Sequence, residues 1–266
     1  MSKKKIALVL GGGAARGLAH IGVIKILKRE NIIIDLIVGT SIGSLIGASY
    51  ALDLPLVEVE KKANKLKWQD LLDLTVPVMG INKGERLEQV IRKSLHDKDF
   101  KDLKIPLAVV ALDIEKGEEV IFQSGQLSKA IRASCSIVGI FNPVRIGGRL
   151  LVDGGYKRPV PVEIAKNLEA DFIIAVDIGF YIMKGRITNV AQVIFQALEI
   201  QGQELDRYES SQADITISPN LQEFDQMSFN HAREIIKRGE IAAESAMPEI
   251  KRQLRDKPWK GVWGDG

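Results

Sequence analysis

Hydrophobic residues along this chain alternate between two rhythms. Ile6-Ala7-Leu8-Val9-Leu10 is an unbroken apolar run, the pattern of a strand buried on both faces of a parallel sheet. Gly11-Gly12-Gly13 interrupt it, and from Gly17 to Arg29 the residues Leu18, Ile21, Ile24 and Leu27 return at helical spacing. Asp35 then leads into Leu36-Ile37-Val38, a second buried strand that stops at Gly39. Ile42 to Leu52, crowded with small residues, reads as a helix. Strand, glycine loop, helix, strand, glycine turn, helix predicts a βαβα unit.

Beyond it, Leu54 to Leu72 are amphipathic and rich in lysine and glutamate, and Gly84 to Leu95 read as a further helix. Strands are expected at Leu107 to Leu112 and Glu119 to Phe122, turned through Lys116-Gly117. A hairpin follows, Val144 to Ile146 and Arg149 to Val152, around the two-residue turn Gly147-Gly148. It delivers Asp153 to a strand end. Pro159 and Pro161 precede a short helix to Asn167, and Phe172 to Val176 form another buried strand. Two long helical stretches, about 189–211 and 228–254, flank a short strand at Ile215 to Ile217. No repeat or linker interrupts the chain, so a single domain over 1–266 is expected, mostly helical from about 185.

With 45% hydrophobic and 27% charged residues among 266, the composition is that of an ordinary globular protein able to bury a large core. Cys135 stands alone, so no internal disulfide can form. A net charge of +3 carries no nucleic-acid footprint and leaves room for weak attraction to an anionic membrane. Lys3-Lys4-Lys5 before Ile6 imitate a signal peptide, but the apolar run is too short, and nothing approaches the roughly 18 apolar residues of a membrane span. A cytoplasmic location is expected, with peripheral membrane contact left open.

Candidate chemistry begins at the glycines. A triple glycine between strand and helix lets backbone N–H groups face an anion at the helix N-terminus. A nucleotide phosphate and the oxyanion of acyl transfer both suit it, as does plain tight packing. The phosphate fingerprints are missing: Gly17 is followed by Leu18-Ala19 instead of Lys-Ser/Thr, and the dinucleotide pattern needs glycine where Arg16 stands. Gly39-Thr40-Ser41-Ile42-Gly43 matches G-x-S-x-G, whose outer glycines clear space for a serine on a strained strand-to-helix turn. Ser41 is then a nucleophile with the Ile42 N–H aimed at the same point. The plain alternative is a helix N-cap serine.

A serine nucleophile needs a base. His96 ends a charged helix and His231 opens the last one, so neither is a strong candidate, whereas His20 lies one turn into the helix after the glycine loop. Asp113, Asp153 and Asp177 sit at strand ends, where turn and capping roles are ordinary. Asp153 differs in being followed by Gly154-Gly155, which clear space around it. A carboxylate used as base would need shielding from water, because its free pKa near 4 makes it weak at neutral pH.

Together, these residues closely resemble the patatin-like phospholipase family: Gly11-Gly12-Gly13-Ala14-Ala15-Arg16-Gly17, then Gly39-Thr40-Ser41-Ile42-Gly43, then Asp153-Gly154-Gly155. Order and spacing are similar to compact bacterial members, which are related to the neuropathy-target-esterase group. Leu18 to Val23 and Ala130 to Ser134 add to the likeness, which spans at least residues 5–180. The resemblance implies a three-layer α/β/α sandwich around a largely parallel sheet. It implies an acyl hydrolase of (lyso)phospholipids or related lipid esters, working through a Ser41–Asp153 dyad and an acyl-enzyme, with no catalytic histidine. It also implies an oxyanion hole of Gly11, Gly12 and Gly13, with Arg16 nearby. No cofactor or metal is expected, since no His/Cys cluster or calcium loop is visible. The chain departs from the family at Lys157-Arg158-Pro159, where asparagine is common, and at Ile137-Val138-Gly139, where proline is usual; both departures bear on the acyl pocket.

Leu54 to Val78, where lysines flank Leu66, Trp68, Leu71, Leu72 and Leu74, and the tail with Trp259 and Trp263 are mixtures that can sit at a membrane surface. The favoured reading is that the helix caps the active site or core and the tail docks on the domain, with membrane contact as the alternative. The rival functions are a catalytically idle relative, a nucleotide-binding protein and an acyltransferase; pairing between the long C-terminal helices leaves homo-oligomers open.

Overall fold

The computed structural model describes residues 4–73, 80–179 and 187–256. Its first strand, β1 (Ile6–Leu10), is wholly buried and lies between two other buried parallel strands, β2 (Leu36–Thr40) and β9 (Phe172–Val176). Unbroken apolar runs are required here, because both faces of the sheet are covered. β10 (Ile215–Ile217) extends the parallel part beyond β9, and β4 (Leu107–Asp113) extends it beyond β2.

At β4 the sheet turns antiparallel. β5 (Glu118–Phe122) pairs with residues 109–113 of β4, and β8 (Arg149–Asp153) pairs with residues 111–113. β2 takes residues 107–110. Because β5 overlaps both β2 and β8 along β4, it must occupy the opposite edge. β2 and β8 therefore share one edge of β4 and meet end to end, Thr40 opposite Val110 and Asp153 opposite Ala111. β7 (Val144–Ile146) closes the sheet as the hairpin partner of β8, with Gly147 and Gly148 both at positive φ, 58° and 79°. A separate two-stranded piece joins β3 (Gly80–Asn82) to β6 (Gly139–Phe141).

Helices cover both faces of this mixed, mostly parallel sheet. The even-numbered positions of β1 pack into a large cluster with α1 (Ala19–Arg29), α2 (Ile42–Ala51) and α9 (Ala232–Asp256). The same cluster takes in apolar residues of α3 (Leu56–Ala63), α4 (Trp68–Leu71), α5 (Glu85–Ser94) and α6 (Leu127–Ser134). Ala7 and Val9 face the other way, onto Val162, Ile164 and Ala165 of α7 (Val162–Asn167). α8 (Val190–Ser210) packs against α7 and the turn after β8.

Two expectations need correcting. Leu54 to Leu72 form two helices, not one, broken around Asn64 to Lys67. The stretch after the glycine loop begins with a 3-10 turn, Ala14–Leu18, before α1. Of the apolar residues weighed between core capping and lipid contact, Leu71 is buried and Leu66, Trp68 and Leu72 pack against the core, with Trp68 stacked on Phe141 and tilted against Phe229. Core capping accounts for them. Leu74, Trp259 and Trp263 lie outside the described residues. No helix among the described residues is long and apolar enough to cross a membrane.

Candidate active site

The meeting of β2 and β8 fixes the site. Ser41 follows β2 directly and Asp153 is the last residue of β8, so two residues 112 positions apart emerge at neighbouring places on one edge of β4. Ser41 Oγ–H donates to Asp153 Oδ2 at 2.6 Å, and both residues are buried.

Ser41 holds φ 52° and ψ −128°, a region non-glycine residues rarely occupy, at a cost of about 1–3 kcal/mol. The surroundings enforce it. A Cβ on Gly39 would stand 2.6 Å from Ser44 Cα, and one on Gly43 would stand 2.2 Å from the Leu10 carbonyl oxygen. The Ser41 N–H donates to Ser134 Oγ at 2.8 Å, and Ser134 Oγ–H passes the load to the Val110 carbonyl at 2.6 Å. Ser44 Oγ–H and Ser44 N–H both donate to the Ser41 carbonyl.

Asp153 is equally tied. The Gly155 N–H donates to Oδ1 at 2.8 Å, and the Asp153 N–H donates to the Ser136 carbonyl at 3.0 Å. A Cβ on Gly154 would stand 2.4 Å from the Val110 oxygen. Burial pushes the Asp153 carboxyl up to about 6, against the opposing pull of the Ser41 and Gly155 hydrogen bonds. Ser134 and Ser136 thus clamp Ser41 and Asp153 from the end of one helix. Buried Arg132 holds that end, donating to the Gly84, Lys83 and Asn142 carbonyls and to Ser136 Oγ. The signal for this clamp lies in the sequence as four polar residues, Ser128, Arg132, Ser134 and Ser136, set among the apolar positions Leu127, Ala130, Ile131 and Ala133, and all four are buried.

The remaining candidates are engaged elsewhere. His20 is fully buried and its Nε2 meets the Gly11 carbonyl at 2.8 Å; burial pushes its pKa down to about 4, so it is a neutral donor there. His96 is exposed, and exposed His231 pairs with Glu234. Asp113 and Asp177 accept N–H groups two residues onward, as turn residues do.

The glycine loop differs from the expected oxyanion hole. The Gly11 N–H donates to the Val176 carbonyl at 3.1 Å and the Gly12 N–H to the Pro159 carbonyl at 2.9 Å. Those two amides are occupied, one by the end of β9 and the other by the loop before α7. Buried Arg16 is turned toward the Phe224 carbonyl, which its Nε reaches at 2.9 Å, and its charge lies near Glu199. The Gly13 and Ile42 amides have no such backbone partner among the described residues, Ile42 being the first residue of α2.

Above the dyad lies a cavity of about 250 Å³. Gly12, Gly13, Ser41 and Asp153 form its floor, and Ile137, Ile140 and Tyr156 one wall. Leu198, Gly202 and Leu205 of α8 form another, with Met227. Gln192, Glu199, Gln201 and Gln226 are its polar residues beyond the dyad. Burial raises the Glu199 carboxyl, which accepts from Gln226 Nε2 at 2.8 Å. Of the two departures from the family pattern, Ile137 does reach the cavity, whereas Arg158 ties Glu119 and Glu209 together and Lys157 caps Gly117. The role of α8 as a cavity wall was missed in the sequence, although residues 187–198 contain no charged side chain.

Solved structures share this fold. VipD from Legionella pneumophila superposes with a TM-score of 0.56 at 14% identity, covering 93% of this chain and 67% of that one. The type III effector ExoU superposes at 0.53 with 14% identity, covering 96% of this chain and 54% of its own. Sequence relatives are closer: lysophospholipase nte1 of Aspergillus fumigatus is 39% identical over 182 residues, and lysophospholipase NTE1 of Debaryomyces hansenii 38% over 185. The matched parts are 66% and 67% of this chain but 12% of either relative. Fold and relatives together place the chain in one class of α/β proteins, the class that includes the lysophospholipases it resembles in sequence. Within it, the chain belongs to the patatin-like phospholipase family, whose family model matches residues 8–166, and it is related to the neuropathy-target-esterase group.

Proposed function

We propose that this chain hydrolyses fatty-acyl esters of phospholipids or lysophospholipids through Ser41 and Asp153. Ser41 Oγ attacks the ester carbonyl as its proton passes to Asp153 Oδ2. The oxyanion of the tetrahedral intermediate is met by the Gly13 and Ile42 amides, the donors that the loop's own hydrogen bonds leave over. Each such donor is worth about 3–4 kcal/mol of barrier. Collapse expels the alcohol, which takes the proton back from Asp153, and leaves Ser41 acylated. Water then gives its proton to Asp153 and attacks the acyl carbonyl; collapse releases the fatty acid as Ser41 Oγ takes that proton back from Asp153.

The single observation that carries this reading is the 2.6 Å hydrogen bond between a strained serine and a buried carboxylate at the floor of a largely apolar cavity. The cavity suits an acyl chain, and names among the relatives support the lipid class.

Fluorophosphonate labelling followed by intact mass and peptide mapping tests it. One adduct on Ser41 is expected, slowed about 10²–10⁴-fold in Asp153→Asn, as loss of a general base predicts. Full esterase activity in purified Ser41→Ala would overturn the mechanism, and unchanged labelling of Asp153→Asn would reassign the base.

A further inference from the structure

α8 has two faces of opposite use. Leu198, Glu199, Gly202 and Leu205 look into the cavity. On the other side Val190, Val193, Ile194 and Ile200 are 75%, 54%, 55% and 48% exposed, and Ala197 between them is exposed as well. Positions 190, 193, 194, 197 and 200 follow the i, i+3, i+4, i+7 spacing of one helix face. A lone exposed hydrophobe is ordinary, but a contiguous apolar stripe over three turns is not. No Asp, Glu, Lys or Arg occurs from Ile187 to Leu198.

The stripe is continuous with the cavity. Gln201, one residue past Ile200, is exposed and also lines the cavity. Met227, on the same wall, does the same, 38% exposed. Exposed Val138 stands beside Ile137 on the loop that forms the facing wall.

We propose that the outer face of α8, with Val138 and Met227 at the cavity rim, is the surface by which this protein docks on aggregated lipid. This rests on the lipid ester reading of the site, whose substrate chains reside in bilayers and micelles. An uncharged apolar face inserts into an uncharged interface as readily as into an anionic one, so the docking is driven by apolar burial and does not require anionic headgroups. The face carries the cavity mouth to the lipid, and an acyl ester enters without crossing water.

Flotation with zwitterionic phosphatidylcholine vesicles tests this on the full chain. Wild type and Ser41→Ala are expected to float alike, which separates docking from catalysis. The pair Val193→Asp and Ile194→Asp is expected to stay at the bottom of the gradient. It should lose at least tenfold in activity on vesicle lipid while keeping wild-type rates on a short, monomeric ester. Val57→Asp, at an exposed site on α3, is the control and should float as wild type does. Hydrogen exchange of residues 187–200 in the wild type needs no variant: vesicles should slow it.

Wild type that does not float, a double variant that floats unchanged, or exchange over 187–200 untouched by vesicles would each overturn the proposal. So would a dimer in lipid-free solution that the double substitution splits, since the face would then belong to a second copy. If no ester is cleaved but flotation behaves as described, the surface stands and the catalytic reading falls.

Discussion

A carboxyl whose midpoint burial has pushed to about 6 is still ionised at neutral pH, yet is a stronger base than a free aspartate. With Asp153 in that role, kcat/KM on a soluble ester should rise about tenfold per pH unit up to about 6 and level off above; a pH–rate profile with no limb in that region would exclude it. The same burial has a cost in stability. The folded state binds this proton more tightly than the unfolded chain, whose midpoint is 3.8, so stability falls as pH rises from about 4 through about 6. Asp153→Asn should therefore be more stable than wild type at pH 7.5, by up to about 3 kcal/mol. The gain should vanish below pH 4, as urea unfolding at both pH values would show. His20, whose lowered midpoint erodes stability as pH falls from 6.5 toward about 4, is common to both proteins and cancels. Ser134→Ala is expected to cost about 1–3 kcal/mol by leaving the Ser41 N–H and Val110 carbonyl unpaired in the core, and to lower kcat more than it raises KM. At this scale the sequence showed which residues could react but not which amides were already spent. Glycine motifs reveal room around a backbone, and partners such as Val176 and Pro159 come from remote segments.

Elements were legible where burial is total. β1, β2, β4 and β9 are unbroken apolar runs because both their faces are covered, and the paired glycines of the β7–β8 turn named their own conformation. What escaped was short or depended on context: β3 and β6 have three residues each, and α6 hides its polar clamp inside a core helix. The crossing of α1 and α9 escaped as well. A Cβ on Gly22 would stand 2.0 Å from the Ile236 oxygen, and one on Gly239 would stand 2.0 Å from the Ala19 oxygen. Each helix thus receives the other's backbone at a glycine. Neither contact can be relieved by a rotamer change, so Gly22→Ala or Gly239→Ala should each destabilise by about 3 kcal/mol. That corresponds to roughly 6–12 °C in Tm for a chain of this size. A melt within 2 °C of wild type would mean that the helices part easily.

For the molecule as a whole, the family pattern and the folding unit have different limits. The family match ends at residue 166, yet β9 supplies one entire neighbour of β1, and α9 covers α1. A chain cut after residue 170 would carry every catalytic motif with β1 open along one edge and the cluster around Ile21 and Ile24 uncovered. It is expected to be rapidly digested by trypsin and silent toward fluorophosphonate, whereas a chain ending at 256 should resist and react. Within the intact fold, one more property follows from the five residues of β8. A strand slides only in whole residues, about 3.3 Å at a time, and every step turns its side chains over. Extra residues at Gly147-Gly148 can be looped out, but one inserted between Arg149 and Val152 would point Asp153 away from Ser41 while the ladder to β4 closed again. The spacing of Ser41 and Asp153 is a whole number, not a dial. Mutational drift in this hairpin therefore either keeps the pair together or breaks it in a single step.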